Sequence, residues 1–463
     1  MKFLIHKLSY FPAVLCCVLL LSGCDKQNEF LQAKPDQALT IPKTLADLDL
    51  ILNNEEVFNA YSCPSMGFIS SDEYYLTTEN YDNSWDEMGQ KVYIFGSDIY
   101  KGGTIPGADW NKSYNQVFVA NTVLEVLKSI RYSEDEANHY NEIKGTSLFF
   151  RAFAFYNLVQ TFSLPYDSMT SSTDMGVPLR LNSDLTEKIK RASVKESYDQ
   201  IIRDLTTAYD LLPLKAKTIT KPSKVAVNAM LSRIYLGMGA YSESLKYAKL
   251  CLAQYGPITD YNLITPTKYS INSDFLAEDI FHTSLINYSI MSPAIPDSNI
   301  YRSYENNDLR KSYFFRVAGD GSLRFRGSYD ARQSNKYCGV ATDEIYLNRA
   351  ECYAREGNKE DAMKDLNLLL AHRYKTGTFT PLTATTSDEA LYLILEERKK
   401  ELLFRGLRWT DLRRLNKEAR FKKDVIHIVR GISYLLKPQS MNYAMLIPDP
   451  EIQLGGLTQN PRQ

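Results

Sequence analysis

The sequence predicts a mainly α-helical protein in which tetratricopeptide-like helical hairpins form a superhelical scaffold that carries an irregular, loop-rich lobe. Long stretches place apolar residues at helical spacing. Two helical pairs repeat one pattern of aromatic, glycine and small residues. Two long segments rich in Tyr, Asn, Ser and Pro or Gly interrupt the helices. Only minor β-hairpins are expected.

The first 23 residues predict a secretory signal. Lys2 and Lys7 precede an apolar run, 11–21, which is too short to span a bilayer. The run ends in Leu21-Ser22-Gly23-Cys24, which resembles a bacterial lipobox and implies cleavage before Cys24 and acylation of that cysteine. The alternative is a plain secreted protein with an accidental cysteine. No later segment approaches 18 consecutive apolar residues, so the expected membrane attachment is through lipid only.

Charge and cysteine content exclude several classes of protein. The chain has 463 residues and a formal net charge of −1, which gives no electrostatic case for nucleic-acid binding. The cysteines after the anchor form no C-x-x-C pair, and Cys251 and Cys352 are expected to be buried free thiols. No H-E-x-x-H, G-x-S-x-G or G-x-G-x-x-G motif occurs. We therefore predict no metal, no cofactor and no catalytic residue.

The N-terminal part of the chain is predicted to contain helices on both sides of a long irregular segment. Thr44 is expected to cap a short helix with Leu45, Leu48 and Leu52 on one face. Residues 54–109 lack helical periodicity, and helices resume near Trp110. The segment 143–162 is apolar nearly all round and predicts a buried helix. Arg151 lies inside it, so we predict a structural cation paired with carbonyl groups or a carboxylate.

Two helical hairpins are predicted in the centre of the chain. A capping box at Ser193–Glu196 begins the preceding helix, Pro213 ends it, and Pro222 is expected to open the next helix at its first turn. The hairpins share an aromatic residue, a glycine four positions later and a small residue five further: Tyr235, Gly239 and Ser244; Tyr353, Gly357 and Ala362. Because the copies are 118 positions apart, they predict an interrupted array.

The interruption, about 257–340, contains a predicted β-hairpin with strands 313–317 and 323–325. Helices are predicted for 342–374 and 387–415, followed by a largely extended tail, 438–463. Many charges at helical spacing lie between 396 and 414, and we interpret them as ion pairs along a helix.

Markers spread along the chain resemble the SusD/RagB family of surface lipoproteins. The strongest is the run 396–412, which contains Glu396-Glu397-Arg398 and Leu407-Arg408-Trp409. Others are the lipobox, Trp110 with Tyr114 and Asn121, Arg151-Ala152-Phe153, Asp204-Leu205, 231–236, 347–351, Ile447-Pro448 and Gln459-Asn460-Pro461. Arg405 stands where the family often has an acid, and Arg462-Gln463 replace its usual ending. The resemblance implies one domain over 24–463, with a helical scaffold at about 110–256 and 340–415 and an irregular lobe at about 54–109 and 257–340.

The resemblance also implies a function. It predicts an outer-membrane lipoprotein that binds an oligosaccharide or a peptide and delivers it to a SusC-like TonB-dependent β-barrel transporter, without catalysis. Two alternatives stay open. A helical scaffold for outer-membrane assembly would explain the anchor and the repeats. A surface glycosidase could use Asp72 or Glu73, but it requires a second acid at a defined distance.

The ligand site is predicted in the lobe, between 61–100 and 280–304, because long loops on a rigid scaffold commonly carry binding. Trp110 and Trp409 fall in motif positions that indicate packing, which leaves Trp85 as a stacking platform. The candidate ligand contacts are the polar and aromatic residues of the two loops: Asp72, Tyr74, Tyr75, Tyr81, Asn83, Trp85, Asn287, Tyr288, Arg302 and Tyr304.

Overall fold

The chain is mainly helical in this computed structural model, which describes residues 42–101, 107–268, 270–329 and 335–462. The predicted signal segment and Cys24 lie outside these ranges. The α-helices of the described residues are α1 Leu45–Leu52, α2 Glu55–Phe58, α3 Met66–Ile69, α4 Thr78–Asp82, α5 Glu87–Tyr93, α6 Ala108–Leu127, α7 Ala137–Phe162, α8 Val194–Leu211, α9 Lys224–Met238, α10 Tyr241–Gln254, α11 Ser298–Ser303, α12 Leu309–Tyr313, α13 Thr342–Arg355, α14 Lys359–Ala371, α15 Ser387–Glu401, α16 Arg408–Leu415 and α17 Asp449–Gln453.

The strands form five antiparallel pairs within the described ranges, and each pair is a separate two-stranded sheet. The strands are β1 Tyr74–Tyr75, β2 Met175–Pro178, β3 Arg191–Ser193, β4 Asp279–Phe281, β5 Ile295–Pro296, β6 Phe315–Val317, β7 Leu323–Phe325, β8 Val340–Ala341, β9 Val425–Val429 and β10 Ile432–Leu436. The pairs are β1–β5, β2–β3, β4–β8, β6–β7 and β9–β10.

The scaffold is a series of helices in which α6, α7, α8, α9, α10 and α13 each pack on the next. The two predicted hairpins are present as α9–α10 and α13–α14. Gly239 and Gly357 end the first helix of each with φ of 75° and 84°, a left-handed conformation that glycine adopts without strain. Helices α10 and α13 pack together although residues 255–341 separate them in sequence. The array is thus interrupted in sequence, as predicted, and the structure shows that it is continuous in space.

Several local predictions hold. Thr44 and Asp47 form a capping box at α1, and Leu45, Leu48 and Leu52 are buried. In the buried helix α7, Arg151 is paired with Asp204. Ser193 and Glu196 form the capping box of α8. The described cysteines Cys63, Cys251, Cys338 and Cys352 are buried free thiols.

Other local predictions were wrong. Residues 54–101 include the short helices α2 to α5, which are too brief to show a periodic apolar face. Pro222 precedes the N-cap Ser223 and does not begin α9. Residues 387–415 form two helices, because the chain is divided at Phe404 and Gly406, which both have positive φ. The hairpin β9–β10 was missed, although Arg430-Gly431 between alternating residues is a turn signal.

Most of the charges between 396 and 414 are ion-paired and buried, whereas Arg413 donates to the carbonyls of Gln160 and Ser163. Arg398 pairs with Asp411 at 2.8 Å, and Arg414 pairs with both Asp411 and Glu351. These contacts join α13, α15 and α16 at the centre of the fold. The predicted ion pairs are therefore present, but they form a buried network between helices and not a row along one helix.

Candidate functional site

The two lobe segments lie side by side through backbone hydrogen bonds. Strands β1 and β5 pair with Tyr74 opposite Pro296. The amide of Cys63 donates to the carbonyl of Ser284 at 3.2 Å, and the amide of Ile286 donates back to the carbonyl of Cys63 at 2.8 Å. These bonds hold residues 286–289 at a fixed position against the first segment.

A cavity of about 300 Å³ lies where the two segments meet the first turns of α6. Its size is at the lower end of the range for small-molecule sites. Its walls combine aromatic, aliphatic and polar groups from Tyr61, Trp85, Asp86, Met88, Ala108, Lys112, Ile286, Asn287, Tyr288 and Ser289.

Trp85 forms the exposed aromatic wall. It lies in the short connection between α4 and α5, directly before Asp86, which caps α5 by accepting from the amide of Gly89 at 2.9 Å. The side chain of Trp85 is 68% exposed, whereas Trp110 and Trp409 are buried. An exposed indole costs free energy in water unless something covers it, so this ring is available to stack on a ligand.

Polar groups face the same cavity. The ammonium of Lys112 donates to the carbonyl of Tyr61 at 3.0 Å, and burial lowers its pKa. The amide of Asn287 is exposed and has no hydrogen-bond partner among the described residues. Ser289 also lines the cavity, and its hydroxyl lies 3.4 Å from that of Ser84 outside the lining. Such groups can make directed hydrogen bonds to hydroxyl, carbonyl or carboxylate groups of a ligand.

Two carboxyl groups lie at this surface, Asp86 in the cavity wall and Asp109 behind it. Asp109 is fully buried and accepts from the amide of Ser65 at 2.5 Å and from the hydroxyl of Tyr288 at 3.2 Å, and burial raises its pKa to about 7. Burial also raises the pKa of Asp86. Asp109 accepts from protein donors and is shielded from solvent, so it holds the hydroxyl of Tyr288 in position.

Three of the ten predicted contacts line this cavity: Trp85, Asn287 and Tyr288. Three others are buried packing residues, which corrects their assignment to a ligand surface. The hydroxyl of Tyr74 donates to the carbonyl of Ile69 at 2.9 Å, that of Tyr81 to Gln90 at 3.2 Å, and that of Tyr304 to Lys400 at 2.8 Å. Buried tyrosines satisfy their hydroxyls internally, so these rings stabilise the lobe.

The remaining four predicted residues also lie outside the cavity. Asp72 is held by Arg408 through two bonds of 2.6 and 2.8 Å and by Lys423 at 2.7 Å. Burial would raise the pKa of Asp72, but these two cations outweigh it and hold the pKa well below its usual range. Tyr75, Asn83 and Arg302 are exposed elsewhere on the lobe. Asp72 is therefore a structural ion-pair partner of α16.

Sequence reasoning missed Lys112, Tyr61 and Asp86. Asp86 could have been found, since it follows Trp85 and precedes a short helix as an N-cap residue does. Lys112 gave no signal because it lies on a scaffold helix, where a lysine usually faces solvent, and only the packing of the lobe places it at the cavity.

Two family profiles match this chain. The profile described as "Starch-binding associating with outer membrane" matches residues 29–236, and the SusD family profile matches residues 342–461. The chain belongs to the SusD family. One relative is the SusD-like protein P2 of Formosa agariphila, which is 22% identical over 66% of this chain and 71% of its own length.

Solved structures of SusD proteins share the fold. A SusD superfamily protein from Bacteroides vulgatus matches with a TM-score of 0.73 and 18% identity, over 91% of this chain and 99% of its own. A SusD-like carbohydrate binding protein from the same organism matches with a TM-score of 0.66 and 20% identity, over 89% and 97% of the two chains. The helical array with its lobe is thus the SusD fold.

Proposed function

We propose that this SusD-family protein is a surface lipoprotein, anchored through Cys24, that binds an oligosaccharide or peptide in the Trp85 cavity and delivers it to a SusC-like TonB-dependent β-barrel transporter. The observation that carries the proposal is an indole that is 68% exposed, beside the amide of Asn287, unpartnered among the described residues, and the ammonium group of Lys112. A flat apolar surface with convergent polar groups suits a ligand that has both C–H faces and hydroxyl or carbonyl groups.

The comparisons support a carbohydrate as the first ligand class to test. One matching profile is described as starch-binding, and one structural relative is named a carbohydrate binding protein. A sugar ring stacks its C–H face on tryptophan and directs hydroxyls toward Asn287 and Lys112. Binding without catalysis is favoured over hydrolysis, because Asp109 is buried with protein donors and Asp72 is ion-paired.

Transport requires a second protein. Among the described residues, no helix is both long and apolar enough to cross a membrane. A lipid-anchored binder therefore needs a membrane-spanning partner, and a β-barrel transporter is the partner that the family resemblance implies. The competing role, a scaffold for outer-membrane assembly, does not account for an exposed tryptophan at a cavity.

Calorimetry on Trp85→Ala tests the site. Loss of one stacking contact costs about 0.5–1.5 kcal/mol beyond area burial, so affinity for the cognate oligosaccharide should fall several-fold without a change in melting temperature. Tyr132→Ala is the matched control, because Tyr132 is an exposed aromatic outside the cavity. If Trp85→Ala binds the oligosaccharide as tightly as wild type does, the site lies elsewhere. Release of shorter products from an oligosaccharide would favour the glycosidase.

Purification in mild detergent at native expression tests the partner. Tagged protein should retain a large β-barrel protein. Repeated recovery of the lipoprotein alone would count against delivery to a transporter.

A further inference from the structure

A second cavity, with a volume of about 610 Å³, is about twice the size of the Trp85 cavity. It lies between the side of α6 that carries Trp110, Tyr114 and Phe118, the loop 178–189, and the C-terminal segment 451–457. Lys112 and Ala108 line the Trp85 cavity, whereas Asn111 and Asn115 line this one. The first turns of α6 thus separate two distinct cavities, and we name the larger one the α6 groove.

The wall opposite α6 is firmly attached. The buried amide of Asn121 donates to the carbonyls of Arg180 and Asn182, both at 2.9 Å. Glu125 accepts from the amide of Ser183 at 3.0 Å, and the hydroxyl of Tyr114 donates to the carbonyl of Pro178 at 2.9 Å. These bonds hold the loop 178–189 at a fixed distance from the helix, so the groove is a preformed concave surface.

The apolar part of the groove is aliphatic at its rim. Leu185 and Leu454 are 68% and 83% exposed, and Leu457 and Phe118 lie further in. Exposed leucines at a cavity mark an interaction surface. Trp110 is buried, so it offers no open ring face comparable to that of Trp85. This lining suits aliphatic side chains better than sugar rings.

The polar part of the groove has regular spacing. Asn111 and Asn115 are exposed, one helical turn apart, and neither side-chain amide has a partner among the described residues. Four residues advance about 6.0 Å along the helix. Two residues of an extended peptide advance about 6.6 Å. Each amide can therefore donate to and accept from alternate backbone units of one extended chain.

The groove also has unpaired charges of both signs. The carboxylate of Glu451 is half-buried beside Tyr114, and the ammonium of Lys188 is exposed, and neither has an ion-pair partner in the described ranges. A free short peptide has an ammonium group at one end and a carboxylate at the other, which complements this pair, whereas a neutral sugar has neither charge.

From the spacing, the lining and the charges, we infer that the α6 groove is a second binding site, for short extended peptides with aliphatic side chains and free termini. Asn111 and Asn115 bind the peptide backbone, Leu185 and Leu454 contact its side chains, and Glu451 binds its amino terminus. The site is independent of the Trp85 cavity and of the function proposed for it.

The test uses the protein from residue 25 onward and uncapped pentapeptides that alternate leucine and serine, titrated by calorimetry. We expect saturable one-to-one binding. Asn111→Ala/Asn115→Ala should weaken it roughly thirtyfold, equivalent to about 2 kcal/mol. Asn138→Ala is the matched control, because Asn138 is an exposed asparagine on α7 outside the groove. Acetylating the peptide amino terminus should weaken binding to wild type and should not weaken binding to Glu451→Gln.

Leu454→Ser, a substitution at an exposed position, gives a second readout if the double variant melts early, and it should weaken binding at least threefold. Saturating the protein with a starch oligosaccharide should leave peptide affinity unchanged, which separates this site from the proposed carbohydrate site. The inference is overturned if no pentapeptide binds at millimolar concentration or if the groove variants bind the peptide as wild type does. It is also overturned if oligosaccharides, and no peptides, bind in a way that depends on Asn111 and Asn115.

Discussion

Separating Arg151 from Asp204 should destabilise the fold strongly, whereas replacing both with apolar residues should not. The guanidinium of Arg151 donates to both carboxylate oxygens of Asp204, at 2.8 and 2.7 Å, and to the side-chain oxygen of Asn121 at 2.9 Å. Both partners are buried and join α7 to α8. Asp204→Asn keeps the shape but leaves a buried cation without a counter-charge.

The magnitude follows from two opposing effects. Unit charges about 4 Å apart attract by about 4 kcal/mol at an effective dielectric constant near 20. Desolvation offsets much of this, since burial raises the pKa of Asp204 although Arg151 acts to lower it. Removing one partner of such a pair costs about 3–5 kcal/mol, but removing both costs little. We therefore expect that loss for Asp204→Asn and for Arg151→Met, and a much smaller loss for Arg151→Met/Asp204→Leu.

Urea unfolding followed by circular dichroism measures these differences. The exposed pair Lys195–Asp199, one turn apart on the same α8, is the control, and Asp199→Asn should change the free energy of unfolding by about 0.5 kcal/mol or less. If Asp204→Asn costs under 1 kcal/mol, or if the double variant is as unstable as either single one, the pair is not the buried structural contact described here.

Three further outcomes are expected. Burial raises the pKa of Glu73 to about 8, although a hydrogen bond from the amide of Phe404 opposes this shift. The contribution of protonated Glu73 to stability is therefore complete below about pH 4.5 and is lost as the pH rises through 8. Wild type should lose about 1.4 kcal/mol per pH unit more than Glu73→Gln in that window, and parallel pH profiles would contradict the assignment. A Cβ on Gly67 would lie 2.6 Å from the ring of Trp409, so Gly67→Ala should destabilise by about 1–3 kcal/mol in thermal or urea unfolding. Gly319→Ala, where nothing lies within 4 Å, should stay within about 0.5 kcal/mol. Labelled fatty acid should enter the wild-type protein and be absent from Cys24→Ala, and label in that variant would refute the acylation site.

The helical array could be predicted from the sequence because its signals are local. The capping boxes at Thr44 and Ser193, the left-handed glycines Gly239 and Gly357, and the apolar surface of α7 depend on neighbours within one or two turns. A buried arginine is costly unless it is paired, so the sequence already implied a partner for Arg151, and Asp204 is that partner.

The candidate site was only partly predictable, because tyrosines at similar positions in the lobe have opposite environments. Tyr74 and Tyr304 are buried with their hydroxyls satisfied by carbonyl groups, whereas Tyr75 is exposed. A two-residue strand has too little periodicity to distinguish the inward from the outward side. Trp85 was separated correctly from Trp110 and Trp409 because the latter two lie in helical motifs.

The sequence by itself determined the helical scaffold, its interrupted hairpins, the family and the exposed tryptophan, since each depends on short-range patterns or on motif order along the chain. Only the tertiary structure decided which lobe residues meet. It paired Asp72 with Arg408, 336 positions away, and it placed Lys112 of a scaffold helix opposite Trp85. The physical reason is that contacts across such separations depend on how the lobe folds back onto α6 and α16, and side-chain periodicity does not encode that path.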